Sequence, residues 1–212
     1  MYVPPHFEMT DRAAIFGFMA RHSFALLVSQ SAGEPFATHI PLLHDPSAGP
    51  HGTLRGHVAK ANPHAKLLAG QRTLAVLAGP HAYVSPTWYR TENTVPTWNY
   101  VAVHAYGTCE LIEEEAELID LLKDSVAAYE SGMPAPWQFD ADSPYVRNLA
   151  KTIVGFRIPI DCLEAKAKLN QNHPPERRDR VIHELEQSAD PAAREIAKLM
   201  MSANHRGTET QS

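Results

Sequence analysis

The sequence predicts a mainly β domain of α+β class, an antiparallel barrel or sandwich with helices attached. Three observations carry this. Between residues 24 and 112, five or six β-rich runs follow one another with short turns between them. Apolar residues at helical spacing are confined to a short segment near the start and to stretches after residue 112. The 212 residues are 44% hydrophobic and 20% charged, which supplies a core and lacks the bias of a disordered chain.

The elements follow in order. Thr10 stands as an N-cap before "DRAAIFGFMARH", where Ile15, Phe18 and Met19 form an apolar stripe, so residues 11–21 read as a helix. "FALLVSQ" (24–30) reads as a strand, "SAGE" as a turn, and "PFATHIPLLHD" (35–45) as the returning arm of a hairpin. Residues 53–60, 73–80 and 82–89 read as further strands, with a helix expected to begin near Asn62 and Pro63. After the polar loop "RTENTVP", residues 98–112 read as one long strand. Leu118, Leu121, Leu122 and Val126 place a helix at 113–131, followed by a Pro-rich loop carrying Trp137 and one or two helical turns in "PYVRNLAKT". "IVGFRIPI" (153–160) returns to strand alternation. Two helices close the chain: "ERRDRVIHELEQS" after Pro174 and Pro175, and "AAREIAKLMMS" opened by Asp190 as N-cap with Pro191 at the first helical position.

Composition excludes some classes. The net charge of −5 argues against a broad phosphate-binding face, because nonspecific nucleic-acid affinity comes from Lys and Arg neutralising phosphates. The N-terminal "MYVPPHFEMTD" lacks a signal-peptide pattern and no run reaches the length of a membrane span, so a cytoplasmic protein without membrane contact is expected. Cys109 and Cys162 are read as buried free thiols. The 12 histidines show no metal-ligand spacing, no Cys-x2-Cys pair exists, and no metal site is expected. Ser85 is not in a nucleophile-elbow motif, there is no Walker A loop or G-x-G-x-x-G, and no helix-turn-helix is evident.

Three segments could carry chemistry. In "LRGHVAKANPHAKLL" (54–68), Lys60, Asn62 and the free N–H groups of a helix start would make a small anion site; the same Asn62 also serves as a plain N-cap. Trp88, Tyr89, Trp98 and Tyr100 concentrate aromatic surface in one part of a chain that is only 8% aromatic. They suit a barrel core, a dimer seam or a planar heterocyclic ligand. In "KLNQNH" (168–173), Lys168, Gln171 and Asn172 offer polar groups between a strand and a helix, or a simple polar cap.

The motifs "GTLRGHVAKANPH", "GPHAYVSPTWY", "VPTWNYVAVHAYG", "IVGFRIPI" and "KLNQN", in this order along nearly the whole chain, resemble those of the PaiB-type FMN-binding negative transcriptional regulators. The family more often has Ser where this chain has Asn170. The resemblance implies a split β-barrel similar to the pyridoxamine-phosphate-oxidase-like flavoproteins, over residues 1–172, with residues 173–212 as a C-terminal helical extension and polar tail. It implies a homodimer with FMN in a groove at the subunit interface. By position, His57, Lys60 and Asn62 would hold the phosphate, and Thr38, His39 and Ile40 would run beside the isoalloxazine. Trp98 and Asn99 would frame a flavin edge from the partner subunit, with Lys168 and Gln171 beside them; His104 reads as a buried interface residue.

Function stays open at this level. One reading is an FMN-binding regulator, with DNA as a partner through the resemblance alone and "ERRDR" (176–180) as a basic patch or the solvated first turn of a helix. A second is a flavin-dependent oxidoreductase, a reductase or oxidase acting on a small molecule, for which no catalytic acid or base stands out. A third is a barrel that uses its Trp/Tyr cluster only to dimerise.

Overall fold

The computed structural model describes residues 1–209, with side-chain environments through residue 203. The chain is mainly β. Eight strands pair in the order β2-β1-β5-β6-β8-β4-β3, with β7 also on β8, and the sheet does not close on itself. They are β1 (Phe24–Ser31), β2 (Glu34–Pro41), β3 (Leu43–Asp45), β4 (Thr53–Ala59), β5 (Arg72–Val84), β6 (Thr97–Thr108), β7 (Glu110–Ile112) and β8 (Ile153–Lys168). The helices are α1 (Arg12–Arg21), α2 (Glu115–Glu130), α3 (Pro144–Ala150), α4 (Pro175–Glu186) and α5 (Pro191–Glu209). The pairs of β1 with β2 and β5, of β4 with β3 and β8, and of β7 with β8 are all antiparallel. This is the mainly β, antiparallel class of the split barrels that the sequence predicted. The last three residues of the polar tail lie outside the described residues.

Two compact units make up the chain. One comprises residues 16–77 and 104–163. Its buried residues include Leu27, Leu42, Leu54, Leu77, Leu121, Phe156 and Ile158. Here Gly107 is required by close approach: a Cβ at that position would lie 2.2 Å from the carbonyl oxygen of Pro159. The other unit comprises residues 1–15, 78–103 and 164–212. Its buried residues include Val84, Tyr89, Val101, Leu169, Val181, Leu185 and Ile196.

Several boundaries differ from the expected ones, each for a local reason. The returning arm 35–45 is two strands: β2 pairs with β1, β3 pairs with β4, and buried Leu42 lies between them. The runs 73–80 and 82–89 are one strand, β5, followed by a 3₁₀ turn at Pro86–Tyr89. The ladder of β5 to β1 covers only Leu74–Val76, so the missing N–H of Pro80 costs no bond to β1. The run 98–112 stops at Cys109, whose N–H donates to the Gln71 carbonyl while its own carbonyl accepts from Gly70; β7 then pairs with β8. The helix expected at Asn62-Pro63 is a single 3₁₀ turn, Pro63–Lys66. Strand β8 runs eight residues beyond Ile160, through the charged stretch "DCLEAKAK". Charge hid it from the alternation test, yet Lys166 is buried, its ammonium 5.1 Å from the Tyr100 ring centre and 5.6 Å from that of Tyr2.

Candidate functional site

The 3₁₀ turn after β4 builds a small polar hub. Asn62 caps the turn, its Oδ1 accepting from the His64 N–H at 2.9 Å, and Pro63 fixes the first turn residue. The Asn62 Nδ2 donates to Thr38 Oγ1 on β2 at 3.3 Å. His64 is fully buried and uses both ring nitrogens: Nδ1 lies 2.8 Å from Thr38 Oγ1 and Nε2 lies 2.9 Å from Ser29 Oγ on β1. Burial lowers its pKa below the usual 6.5, so the imidazole is neutral. A consistent donor chain runs from Asn62 amide to Thr38 hydroxyl to His64 to Ser29.

Of the expected phosphate residues, Asn62 sits in this hub, where it meets Thr38, expected instead beside the isoalloxazine, and Lys60 lies two residues from it in the chain. The ammonium of Lys60 is exposed and enters no ion pair among the described residues. The free N–H groups expected at a helix start are not there. The N–H groups of Lys60, Asn62, His64 and Ala65 all bond within the chain, and a single turn carries no useful dipole. An anion at this place must be held by side chains.

His57 does not join the hub. It lines an apolar cavity of about 450 Å³ with Leu122 and Val126 of α2, Trp137, Phe139 and Tyr145, and burial lowers its pKa. That lining does not suit a phosphate. His39 is exposed and stacks on Phe24 with ring centres 6.1 Å apart. The Ile40 side chain is buried, so only its backbone could meet a ligand. His64 and Ser29 are the residues that sequence reasoning missed. His64 reaches Thr38 across 26 residues of chain and Ser29 across 35, a grouping that the β1–β2 register creates and no local motif marks.

The other expected residues lie in the second unit, and strand alternation separates the central pair. Trp98 is 52% exposed and stands edge-on to Tyr83 at 5.8 Å. Asn99 is 0% exposed, with its Nδ2 3.4 Å from Met200 Sδ of α5 and its Oδ1 buried without a partner. Adjacent strand residues point to opposite faces, so the two cannot frame one ligand edge, as the sequence reading had them. Gln171 is committed to its own turn, accepting from the Leu169 N–H and donating to the Ala167 carbonyl. Lys168 donates to Thr97 Oγ1.

The run 176–180 at the start of α4 exposes Glu176, Asp179 and Arg180, as a solvated first turn does, yet Arg177 and Arg180 are tethered to the chain. Arg180 donates to the Tyr89 carbonyl at 2.7 Å, Arg177 donates to Thr91 Oγ1 at 2.9 Å, and Arg178 buries its Nε and Nη2. Residues 187–190 alone join α4 to α5, a short connection the sequence reading overlooked, but the facing residues Val181, Leu185, Ile196 and Met200 are buried. Both cysteines are free thiols: Cys109 is buried and pushed up to about 12, whereas Cys162 is exposed rather than buried. Among the described residues no helix is long and apolar enough to cross a membrane.

The hub offers a phosphate the second N–H of the Asn62 amide, and Lys60, two residues away in the chain, enters no ion pair among the described residues, although it lines a pocket that also contains Glu113 and Glu115. Comparisons with known proteins place the chain in a family. Residues 1–162 match a family described as "Putative FMN-binding domain". The chain is 37% identical over 202 residues to the protease synthase and sporulation protein PAI 2 of Bacillus subtilis, covering 94% of this chain and 96% of that one. It is 35% identical over 207 residues to an uncharacterized protein of Emericella nidulans, covering 81% and 80%. Among solved structures, an FAD and heme binding protein from Mycobacterium smegmatis superposes with a TM-score of 0.61 at 15% identity, covering 81% of this chain and 78% of that one. The flavocytochrome Anf3 from Azotobacter vinelandii gives 0.61 at 16% identity, covering 78% and 72%. At these identities the structures support the fold.

Proposed function

The chain belongs to this FMN-binding domain family, with FMN as its cofactor, and we propose that it works as a cytoplasmic FMN-bound homodimer of the PaiB type, acting as a negative regulator. The observation that carries the reading is the 37% identity spanning 96% of the Bacillus relative, so the similarity is not confined to a shared cofactor domain.

At the site, Lys60 would neutralise the FMN phosphate while the Asn62 amide donates to it, with Thr38 and buried His64 holding Asn62 in place. Backbone groups of residues 38–40 would run along the ring system. Trp98, exposed beside Tyr83, would present an aromatic face to the flavin of the partner protomer. When bound, the flavin supplies one- and two-electron transfer. The net charge of −5 and the tethered arginines of α4 favour a regulator working through a small-molecule or protein partner over one that reads DNA unaided.

Sedimentation of the FMN-loaded protein, with mobility shifts on duplex DNA at increasing salt, tests this. A dimer with weak, steeply salt-sensitive DNA retention is expected. A monomer, or rapid NADPH bleaching coupled to turnover of a small substrate, would replace the regulator with an oxidoreductase.

A further inference from the structure

A second polar cavity, about 290 Å³, lies within the unit formed by residues 1–15, 78–103 and 164–212. Its wall includes Tyr89, Thr97, Lys168, Asn170, His173 and Arg177, and no carboxylate. Neither Lys168 nor Arg177 enters an ion pair among the described residues. Two cationic side chains, the permanent guanidinium of Arg177 and the ammonium of Lys168, whose pKa burial lowers, therefore line one small cavity with no carboxylate in its wall, in a chain whose net charge is −5.

The hydrogen-bond roles sharpen this. A guanidinium can only donate, so His173 Nδ1 accepts from Arg177 Nη1 at 3.2 Å, which leaves the imidazole proton on Nε2. Burial, with Arg177 and Lys168 nearby, lowers the His173 pKa and keeps the ring neutral. Lys168, Arg177 and His173 thus present donors only. Arg177 is held in place before any ligand arrives, by Thr91 at 2.9 Å and by the Tyr89 ring, whose centre lies 5.2 Å from the guanidinium carbon. Asn170 is buried, its Nδ2 3.2 Å from Tyr89 Oη.

The backbone adds an independent sign. Left-handed conformations at non-glycine residues occur at Arg90 (φ 51°), Asn93 (56°) and Asn170 (61°), and at only one other described residue, Ala32. Asn93 and Asn170 line the cavity, and Arg90 follows Tyr89. Residues held in such regions gather where surrounding structure fixes a site.

We infer that this cavity binds a small organic anion, a molecule ending in a carboxylate or phosphate, through Lys168, Arg177 and the Nε2–H of His173. Its volume sits at the lower end of ligand cavities, which suits an anion smaller than FMN. In a flavin-dependent regulator this is where a metabolite signal would enter, so the inference adds a ligand to the FMN reading.

The test is calorimetric titration of the full-length protein, apo and FMN-saturated, with inorganic phosphate and with succinate. We expect saturable binding by one or both probes, weakened about tenfold or more by Arg177→Gln and by Lys168→Met and retained in part by Arg177→Lys, with FMN affinity unchanged in Arg177→Gln. The arm that binds tells phosphate from carboxylate. No saturable binding, equal affinity in R177Q, or FMN affinity lost in parallel would overturn the inference; in the last case the cavity holds part of the flavin itself. Anion binding in a protein that fails to take up FMN would leave this site standing and remove the flavin reading instead.

Discussion

Thr38 Oγ1 lies 2.8 Å from His64 Nδ1 and 3.3 Å from Asn62 Nδ2, so one hydroxyl on β2 ties the turn after β4 to the buried imidazole. Removing it leaves two polar groups without their partner in a partly buried setting. Thr38→Val should destabilise the protein by about 1–3 kcal/mol, read as a shift of the urea midpoint at constant slope, and should weaken FMN binding. An unchanged midpoint would mean that the hub is not structurally coupled.

The neutral state of His64 gives the protein an acid limit. Its folded pKa lies below the usual 6.5, as do those of His57 and His173, all chiefly through burial. Below pH 6.5 the unfolded chain binds protons that the folded chain refuses, so stability is complete above that value and is lost as pH falls through the folded pKa values. Asp45 and Asp161, lowered from 3.8, act only in more acid solution. Thermal unfolding between pH 7 and 5 should show a falling melting temperature in wild type and a shallower fall in His64→Gln.

Asn99 contradicts a ligand role by its burial. Its Oδ1 has no partner, and an apolar residue of similar shape removes that desolvation cost. Asn99→Leu should be neutral or stabilising by about 1 kcal/mol, with FMN affinity unchanged in a fluorescence titration. A large loss of FMN binding would return Asn99 to the site.

Gly107 leaves no room for a side chain, because the Pro159 carbonyl would meet a new Cβ at 2.2 Å. Gly107→Ala should cost about 3 kcal/mol or more, or yield insoluble protein, since the opposing atom belongs to rigid backbone.

Much of the fold was legible because the residues obey simple periods. Helix α1, strand β1, helix α2 and the Asp190-Pro191 start of α5 carry local signals, and the structure has them near the expected boundaries. The errors came where tertiary pairing overrules a local breaker. Pro80 inside β5, the stop at Cys109 and the charged end of β8 are decided by neighbouring strands that sequence does not display. At the site, Asn62 and Thr38 were legible, whereas His64 was not, because its partners arrive from β1 and β2. Trp98 and Asn99 are a different case. The resemblance implies both beside one flavin edge, whereas strand alternation alone assigns them to opposite faces.

The most direct measurement is a paired titration with FMN, by absorbance and fluorescence, of the wild-type protein and the Lys60→Ala, Asn62→Ala double variant, with size determined alongside. Saturable binding of one FMN per chain is expected, weakened about tenfold or more in the double variant with the dimer intact. Absence of binding at tens of micromolar FMN, or equal affinity in the two proteins, would contradict that expectation.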